Sequence, residues 1–198
     1  HTPIVPTPKW QGKSGLGSYG DFVMQTDAVL GAVVKALDSK GISENTIVIM
    51  TSDNGCSRRA DFPHLESKGH FASAPFRGSK ADIWEGGLRV PFIVKWPKSI
   101  KAGTVSNELT CQIDLLGTCA ELIGKELPNN AGEDSESILP TLKGGESNFT
   151  RKGLIQHSVS GHFAYREGKH KLILAYGSGG WTAPNEPAAR KLKLPKAQ

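Results

Sequence analysis

Cysteine is scarce: Cys56, Cys111 and Cys119 are the only three in 198 residues. An odd count with no paired metal-ligand spacing indicates neither a disulfide framework nor a Cys-based zinc site, and it leaves the compartment unread. Long apolar runs are missing too, which excludes a helical membrane span. There is no aromatic-interleaved basic stripe and no nucleic-acid motif, so a nucleic acid is not the expected partner. A signal peptide is absent, and the first residue is His rather than Met. A chain opening His1-Thr2-Pro3 reads as an excised piece, its targeting information cut away with the rest. Apolar residues make only 37% of the chain, against 23 glycines and 12 prolines. That is little for a self-sufficient α/β core, and it implies many loops or a core shared with something else. The formal charge of +5 is compatible with an anionic substrate.

What the chain does have is Thr46-Ile47-Val48-Ile49-Met50-Thr51-Ser52-Asp53-Asn54-Gly55. The β-branched run predicts a buried strand of a parallel sheet. In open α/β sheets, ligands bind beyond the carboxyl ends of such strands. Asp53 and Asn54 stand at that end, and Gly55 permits a sharp turn after them. A carboxylate beside an amide carbonyl offers hard oxygens, suited to Ca²⁺ or Mg²⁺ rather than zinc. Asp-Asn-Gly is also ordinary turn chemistry, and these three residues alone do not separate the two readings.

Residues 1–20 are rich in Pro and Gly and read as extended or looped backbone. Apolar residues then recur at helical spacing from Phe22 to Leu37, with Asp21 as N-cap and Gly41 as the stop. Residues 55–88 show little periodicity, yet they carry Arg58, Arg59, His64, Lys68, His70, Arg77 and Lys80. A loop of that length between two strands is unusual and tends to be functional. The strand that follows, Val90–Pro97, has Pro91 at its start, which puts its first residues outside the ladder. Residues 109–124 predict a second helix, with Ile113, Leu115, Leu116, Cys119, Leu122 and Ile123 as its apolar side. After a polar loop broken by the island 138–142, the pattern turns to β. One strand runs over 154–159, and a hairpin joins Phe163–Arg166 to Lys171–Ala175 across Glu167-Gly168-Lys169. From residue 177 the chain reads as loop with a fraying end.

His1-Thr2-Pro3, Gly12-Lys13-Ser14 with Tyr19-Gly20-Asp21, the stretch Val48–Gly55, and Arg77-Gly78-Ser79-Lys80 with Trp84–Pro91 together resemble type I sulfatases. So do Ser137–Leu142 and Arg166–Leu172 near the C-terminus. The matches keep the family's order and spacing across most of the chain. The resemblance implies an α/β, alkaline phosphatase-like fold, with a partial sheet and flanking helices in residues 1–125 and a small antiparallel subdomain in 126–198. It implies hydrolysis of a sulfate ester, on a small molecule or a glycan, at a Ca²⁺ site. Carried over by position, Asp53 and Asn54 are metal ligands. Lys80 holds the sulfate and steadies charge on the leaving oxygen, and His1 hydrogen-bonds the sulfate and assists departure. The resemblance also implies a periplasmic, secreted or lysosomal parent protein, a choice the chain itself does not make.

One departure from the family limits what the chain does alone. The family's nucleophile is a formylglycine made within Cys/Ser-x-Pro/Ala-x-Arg. Cys56 is followed by Ser57-Arg58-Arg59, Cys111 by Gln112-Ile113-Asp114, and Cys119 by Ala120-Glu121-Leu122. None fits, so the expectation is a C-terminal portion of a sulfatase, inert by itself. It is ordered either by the mutual burial of its own elements or by a second copy covering an exposed sheet edge. A phosphatase or phosphodiesterase portion of the same superfamily and a non-catalytic binding module are the alternatives. Cys56 lacks a nearby base and is not expected to be a catalytic thiol. Arg58, Arg59, His64 and His70 are expected at the loop surface, with lining of a substrate pocket as the other reading. His157, His162 and His170 are expected to carry no chemistry, and Arg89 to pair with a carboxylate.

Overall fold

The computed structural model describes residues 2–146 and 148–185. Helix α1 (Gly17–Ser39) leads through a 3-10 turn, Ser43–Asn45, into strand β1 (Val48–Thr51). A long excursion follows, with helix α2 (Phe62–Ser67) and the short helix α3 (Glu85–Leu88), before strand β2 (Phe92–Lys95). Helices α4 (Asp114–Leu122) and α5 (Leu139–Leu142) precede strands β3 (Leu154–His157), β4 (Phe163–Glu167) and β5 (His170–Ile173).

Strand β2 pairs with β1 antiparallel, Ile49 opposite Val94 and Met50 opposite Ile93. This corrects the parallel-sheet expectation: the chain returns along β1 by a loop excursion, not by a right-handed helical crossover. The pair is not fully buried either, since Ile49 is 38% and Ile93 60% exposed. Pro91 lies just outside the ladder. Strands β3, β4 and β5 form an antiparallel meander in that order, with the hairpin register Glu167 opposite His170.

Two helices differ from their sequence pattern. Helix α1 begins at Gly17, and Asp21 is not its cap. The buried Asp21 carboxylate instead accepts from Gly12 N (2.7 Å), Ser14 N (2.8 Å) and Ser14 Oγ (2.8 Å), tying down the loop before the helix. Those donors, Ser14 N first, hold Asp21 below the usual carboxylate range. Helix α4 buries Asp114, Thr118 and Ala120, while Ile113, Leu116, Leu122 and Ile123 stay exposed. Its polar side is the inward one because polar groups stitch it in place. Arg151 grips Asp114 at 2.6 and 2.5 Å, and Ile138 N donates to Thr118 Oγ1 at 3.0 Å.

Among the described residues, Ile83, Trp84, Ala164, Ile173 and Ala175 form a buried apolar cluster, with Leu88 against it. It joins the segment around α3 to the β3–β5 sheet. The two parts assigned from sequence, 1–125 and 126–198, therefore meet in one core. Glu85 at the start of α3 adds to the joint, accepting from Arg166 at 3.0 Å and Lys171 at 2.9 Å. Burial pulls the Lys171 ammonium down in pKa, and the Glu85 carboxylate opposes that pull.

Candidate active site

Three glycines bring the separate motifs together. Gly55 N donates to Gly87 O at 2.9 Å, Gly86 N to Arg77 O at 2.8 Å, and Lys80 N to Cys56 O at 2.9 Å. The backbones lie so close that a Cβ on Gly55 would stand 1.7 Å from Gly86 O, and one on Gly87 would stand 2.3 Å from Asp82 O. The turn after β1, the Arg77–Lys80 segment and α3 thus form one knot of main chain. Asp53 and Asn54 precede the knot, and Lys80 leaves it.

Asp53 is exposed and Asn54 half-buried. Asn54 Nδ2 donates to Asp53 Oδ1 at 2.9 Å, which fixes the pair relative to each other. Ser52 Oγ closes the turn onto Asn54 O at 2.9 Å. Gln112, ahead of α4, donates to Ser52 O and to Thr51 Oγ1 and braces the end of β1. Among the described residues, no three His, Cys, Asp or Glu side chains gather into a metal cage. Asp53 and Asn54 could supply two hard oxygens of the roughly six to eight that Ca²⁺ takes. The donor set fits one side of such a site and needs further oxygens from elsewhere.

Lys80 sits in a rigid setting. Ala81, next in the chain, has φ +84, a left-handed value that a residue with a Cβ adopts only when its surroundings enforce it. Asp82, 1% exposed, does the enforcing. Its carboxylate accepts from Ser79 N (2.8 Å), Trp181 N (2.9 Å), Thr182 N (3.0 Å) and the Thr182 hydroxyl. Ile83 N further donates to Ser178 O at 2.8 Å. The segment 178–182, expected to fray, is instead locked beside Lys80; residues 186–198 lie outside the described residues.

His1 also lies outside the described residues. Cys56 is half-buried, and burial pushes its thiol up, away from the reactive thiolate. The Tyr19 phenol is likewise pushed above the usual tyrosine range, by burial first and then by its hydrogen bond to Cys56. That contact places the start of α1 against the turn after β1. Arg89 lays its guanidinium over the Phe76 ring at 4.7 Å, in place of the carboxylate partner expected for it. Arg58 donates to Trp181 O at 2.5 Å and lines a cleft, whereas His70 is exposed. Sequence reading missed Asp82, Glu85, Tyr19 and the 178–182 segment as parts of this assembly. Apart from Ser79, three residues before Asp82, their partners lie 37 to 123 residues away in the chain, so little local pattern marks them. The carboxylate two residues after Lys80 was the one visible hint.

A short β-pair, the Asp53-Asn54-Gly55 turn after it, the Lys80 segment bonded to that turn through main chain, and a small antiparallel sheet packed on α3 belong to an alkaline phosphatase-like α/β protein. The sulfatase family model matches residues 1–125, and the model described as N-sulphoglucosamine sulphohydrolase, C-terminal, matches residues 79–181. The chain belongs to the sulfatase family. It is 37% identical over 176 residues to an N-acetylgalactosamine-6-O-sulfatase of Bacteroides thetaiotaomicron, covering 87% of this chain and 34% of that protein. It is 39% identical over 144 residues to the steryl-sulfatase of Rattus norvegicus, covering 73% of this chain and 25% of that one. A solved Bacteroides thetaiotaomicron structure, from work on glycosaminoglycan metabolism, superimposes with a TM-score of 0.79 at 34% identity, over 94% of this chain and 39% of the other. The chain thus spans between 25% and 39% of the length of these relatives. No helix among the described residues is long and apolar enough to cross a membrane.

Proposed function

We propose that this chain supplies one side of a sulfatase active site that hydrolyses sulfate esters. The observation that carries the reading is the backbone knot, in which Lys80 N bonds Cys56 O and Gly55 N bonds Gly87 O. It supports a single hollow shared by Asp53, Asn54 and Lys80. Sulfuryl transfer spreads negative charge over oxygens, so a fixed cation aimed at them lowers the barrier. Lys80 takes that role, holding the sulfate and steadying the leaving oxygen. Asp53 and Asn54 would hold Ca²⁺, which when bound adds Lewis-acid polarisation. His1 is assigned a hydrogen bond to the sulfate and help to the leaving group. The nucleophile is assigned outside these 198 residues: no cysteine here stands in the formylglycine motif, and the one serine with that spacing, in Ser73-Ala74-Pro75-Phe76-Arg77, has its hydroxyl buried. Residues 1–125 belong in this reading to the catalytic α/β part, and 126–198 to the antiparallel subdomain that backs it. A periplasmic, secreted or lysosomal place of action goes with the same reading.

The test has two arms. The 198-residue chain should not turn over p-nitrophenyl sulfate, with or without Ca²⁺, and saturable hydrolysis by pure chain would sink the assignment of the nucleophile elsewhere. In the longest product of the gene that contains this segment, Lys80→Ala should lower kcat by about 100-fold or more, the scale of losing one charge-stabilising donor. An unchanged kcat would remove Lys80 from the mechanism.

A further inference from the structure

The chain holds seven asparagines, and only Asn54 is followed by glycine. Asparagine is a thermolabile residue, because the next main-chain nitrogen can attack its side-chain amide carbon and close a five-membered ring. A side chain on that next residue crowds the attack, and Gly55 has none. The packing demands glycine there, since a Cβ on Gly55 would meet Gly86 O at 1.7 Å. The fold therefore sets its most reactive asparagine in the turn after β1. The Asn54 side chain lies along the susceptible residue, with Nδ2 donating to Gly55 O at 3.4 Å. Asn54 is half-buried, open to the water that the reaction consumes. Three contacts hold it still. Gly55 N, the attacking atom, donates its hydrogen to Gly87 O at 2.9 Å. Nδ2, the group that must leave, donates to Asp53 Oδ1 at 2.9 Å. Ser52 Oγ donates to Asn54 O at 2.9 Å and holds the peptide that would have to turn.

We propose that Asn54 is a site of spontaneous covalent modification, deamidation assisted by the Gly55 main chain, and that the backbone knot holds the reaction off. In the first step Gly55 N gives up its proton and bonds to Asn54 Cγ. The Cγ–Nδ2 bond breaks, and ammonia departs carrying that proton. Water then opens the succinimide, its OH bonding a ring carbonyl carbon and its hydrogen the ring nitrogen. Opening at Cγ gives aspartate. Opening at the main-chain carbonyl gives isoaspartate, with Gly55 N now attached to the former side chain. No oxidant and no enzyme takes part. Either product changes the oxygens beside Asp53: aspartate adds a second negative charge, and isoaspartate lengthens the main chain by a methylene in the turn that the knot grips. Attack requires Gly55 N to leave Gly87 O and swing toward Cγ, and the main chain of Gly86 and Gly87 stands in the way. The reaction is confined to moments when the knot opens, so its rate follows the open fraction.

Peptide mapping by mass spectrometry tests this on the longest product of the gene that contains this segment. The protein is kept at mildly alkaline pH with a chelator, so that no bound cation does the guarding, and a second sample is held in denaturing guanidinium chloride at the same pH. In the denaturant Asn54 should convert first among the asparagines of these 198 residues, to a mixture of isoaspartate and aspartate. In the folded protein its conversion should be slower by about tenfold or more, as opening of the native structure limits it. Hydrogen exchange gives an independent readout, in which the Gly55 amide should be protected to a similar degree. Gly87→Ala, whose methyl would stand 2.3 Å from Asp82 O, displaces the acceptor of Gly55 N and should bring the folded rate toward that in denaturant. If that variant does not fold, the folded parent against the denatured sample still decides. Equal rates in those two samples would overturn the proposal. So would another of these asparagines converting ahead of Asn54 in denaturant, a Gly55 amide that exchanges freely while Asn54 stays intact, or a folded Gly87→Ala protein that keeps the parent's rate.

Discussion

A methyl group on Gly55 has nowhere to go, since Gly86 O would be 1.7 Å away. The obstruction is backbone, so relief requires the turn after β1 to part from α3. Gly55→Ala should therefore destabilise by about 3 kcal/mol or more, in the range of overpacked, strained sites, and calorimetric unfolding would measure it. A loss under about 0.5 kcal/mol, the scale of an ordinary surface change, would mean that the knot is loose. Asp82 makes a different argument. It is buried and accepts from Ser79, Trp181 and Thr182, so every neighbour aims a donor at it. Asp82→Asn turns an NH₂ toward one of those donors and leaves both unsatisfied, at a cost of about 1–3 kcal/mol. Urea unfolding reads the loss, and a protease cut after Trp181 becoming accessible would locate it. At this scale the sequence was legible where chemistry is local. Asp53, Asn54 and Gly55 are neighbours, and their turn could be read directly. Asp82 could not, because its meaning comes from Thr182, a hundred positions on.

At the scale of elements, α4 carries the plainest lesson. Its apolar residues fall at helical spacing, and the pattern rightly gave a helix, but the apolar side is not the one this chain buries. Periodicity reports which side of a helix is apolar, not which side this chain covers. The inward side is settled by Asp114, whose side chain is fully buried and forked by Arg151. Burial alone would raise the Asp114 pKa; the Arg151 guanidinium and the Cys111 and Glu136 N–H groups outweigh it and hold the carboxyl low. Its folded pKa lies below the unfolded value, so the fork's contribution is complete above about pH 3.8 and is lost as pH falls through the folded value. Urea midpoints should accordingly drop on acidification below that point in the native chain. In Arg151→Met, which strands the buried carboxylate, stability at neutral pH should fall by about 3–5 kcal/mol and the acid slope should flatten. A variant as stable as the parent at neutral pH would show that the fork is incidental. The same carboxylate, after burial, helps push the Cys111 thiol up to about 11, so this cysteine should resist alkylation at mildly alkaline pH until the chain unfolds.

Taken whole, the molecule is stitched by polar contacts on its inside and leaves apolar faces out. On α1 only Gly20 and Asp21 are buried, while Val29 and Val33, one turn apart, are 59% and 47% exposed. In the β1–β2 pair, Ile49 shares a face with Val94 opposite it, and Ile93, the neighbour of Val94, projects to the other face; both isoleucines are exposed. Two strands without a covered face are marginal in water, and among the described residues β1 has no other strand beside it. The 37% apolar content implied many loops or a core shared with something else, and under the second reading these surfaces are where the sharing would fall. A chain with so much uncovered apolar surface should find a cover. The 198-residue chain should therefore associate with itself as concentration rises through the micromolar range, seen as a growing weight-average mass in sedimentation velocity. Val29→Glu with Val33→Lys should lower that mass while leaving helix content by circular dichroism unchanged, since an i, i+4 ion pair sustains the helix. Charge placed on Ile49 and Ile93 should act in the same direction through the β-pair. A chain that stays monomeric at every concentration, and binds no hydrophobic dye, would mean that the exposed faces are content in water and that the shared-core account of this molecule is wrong.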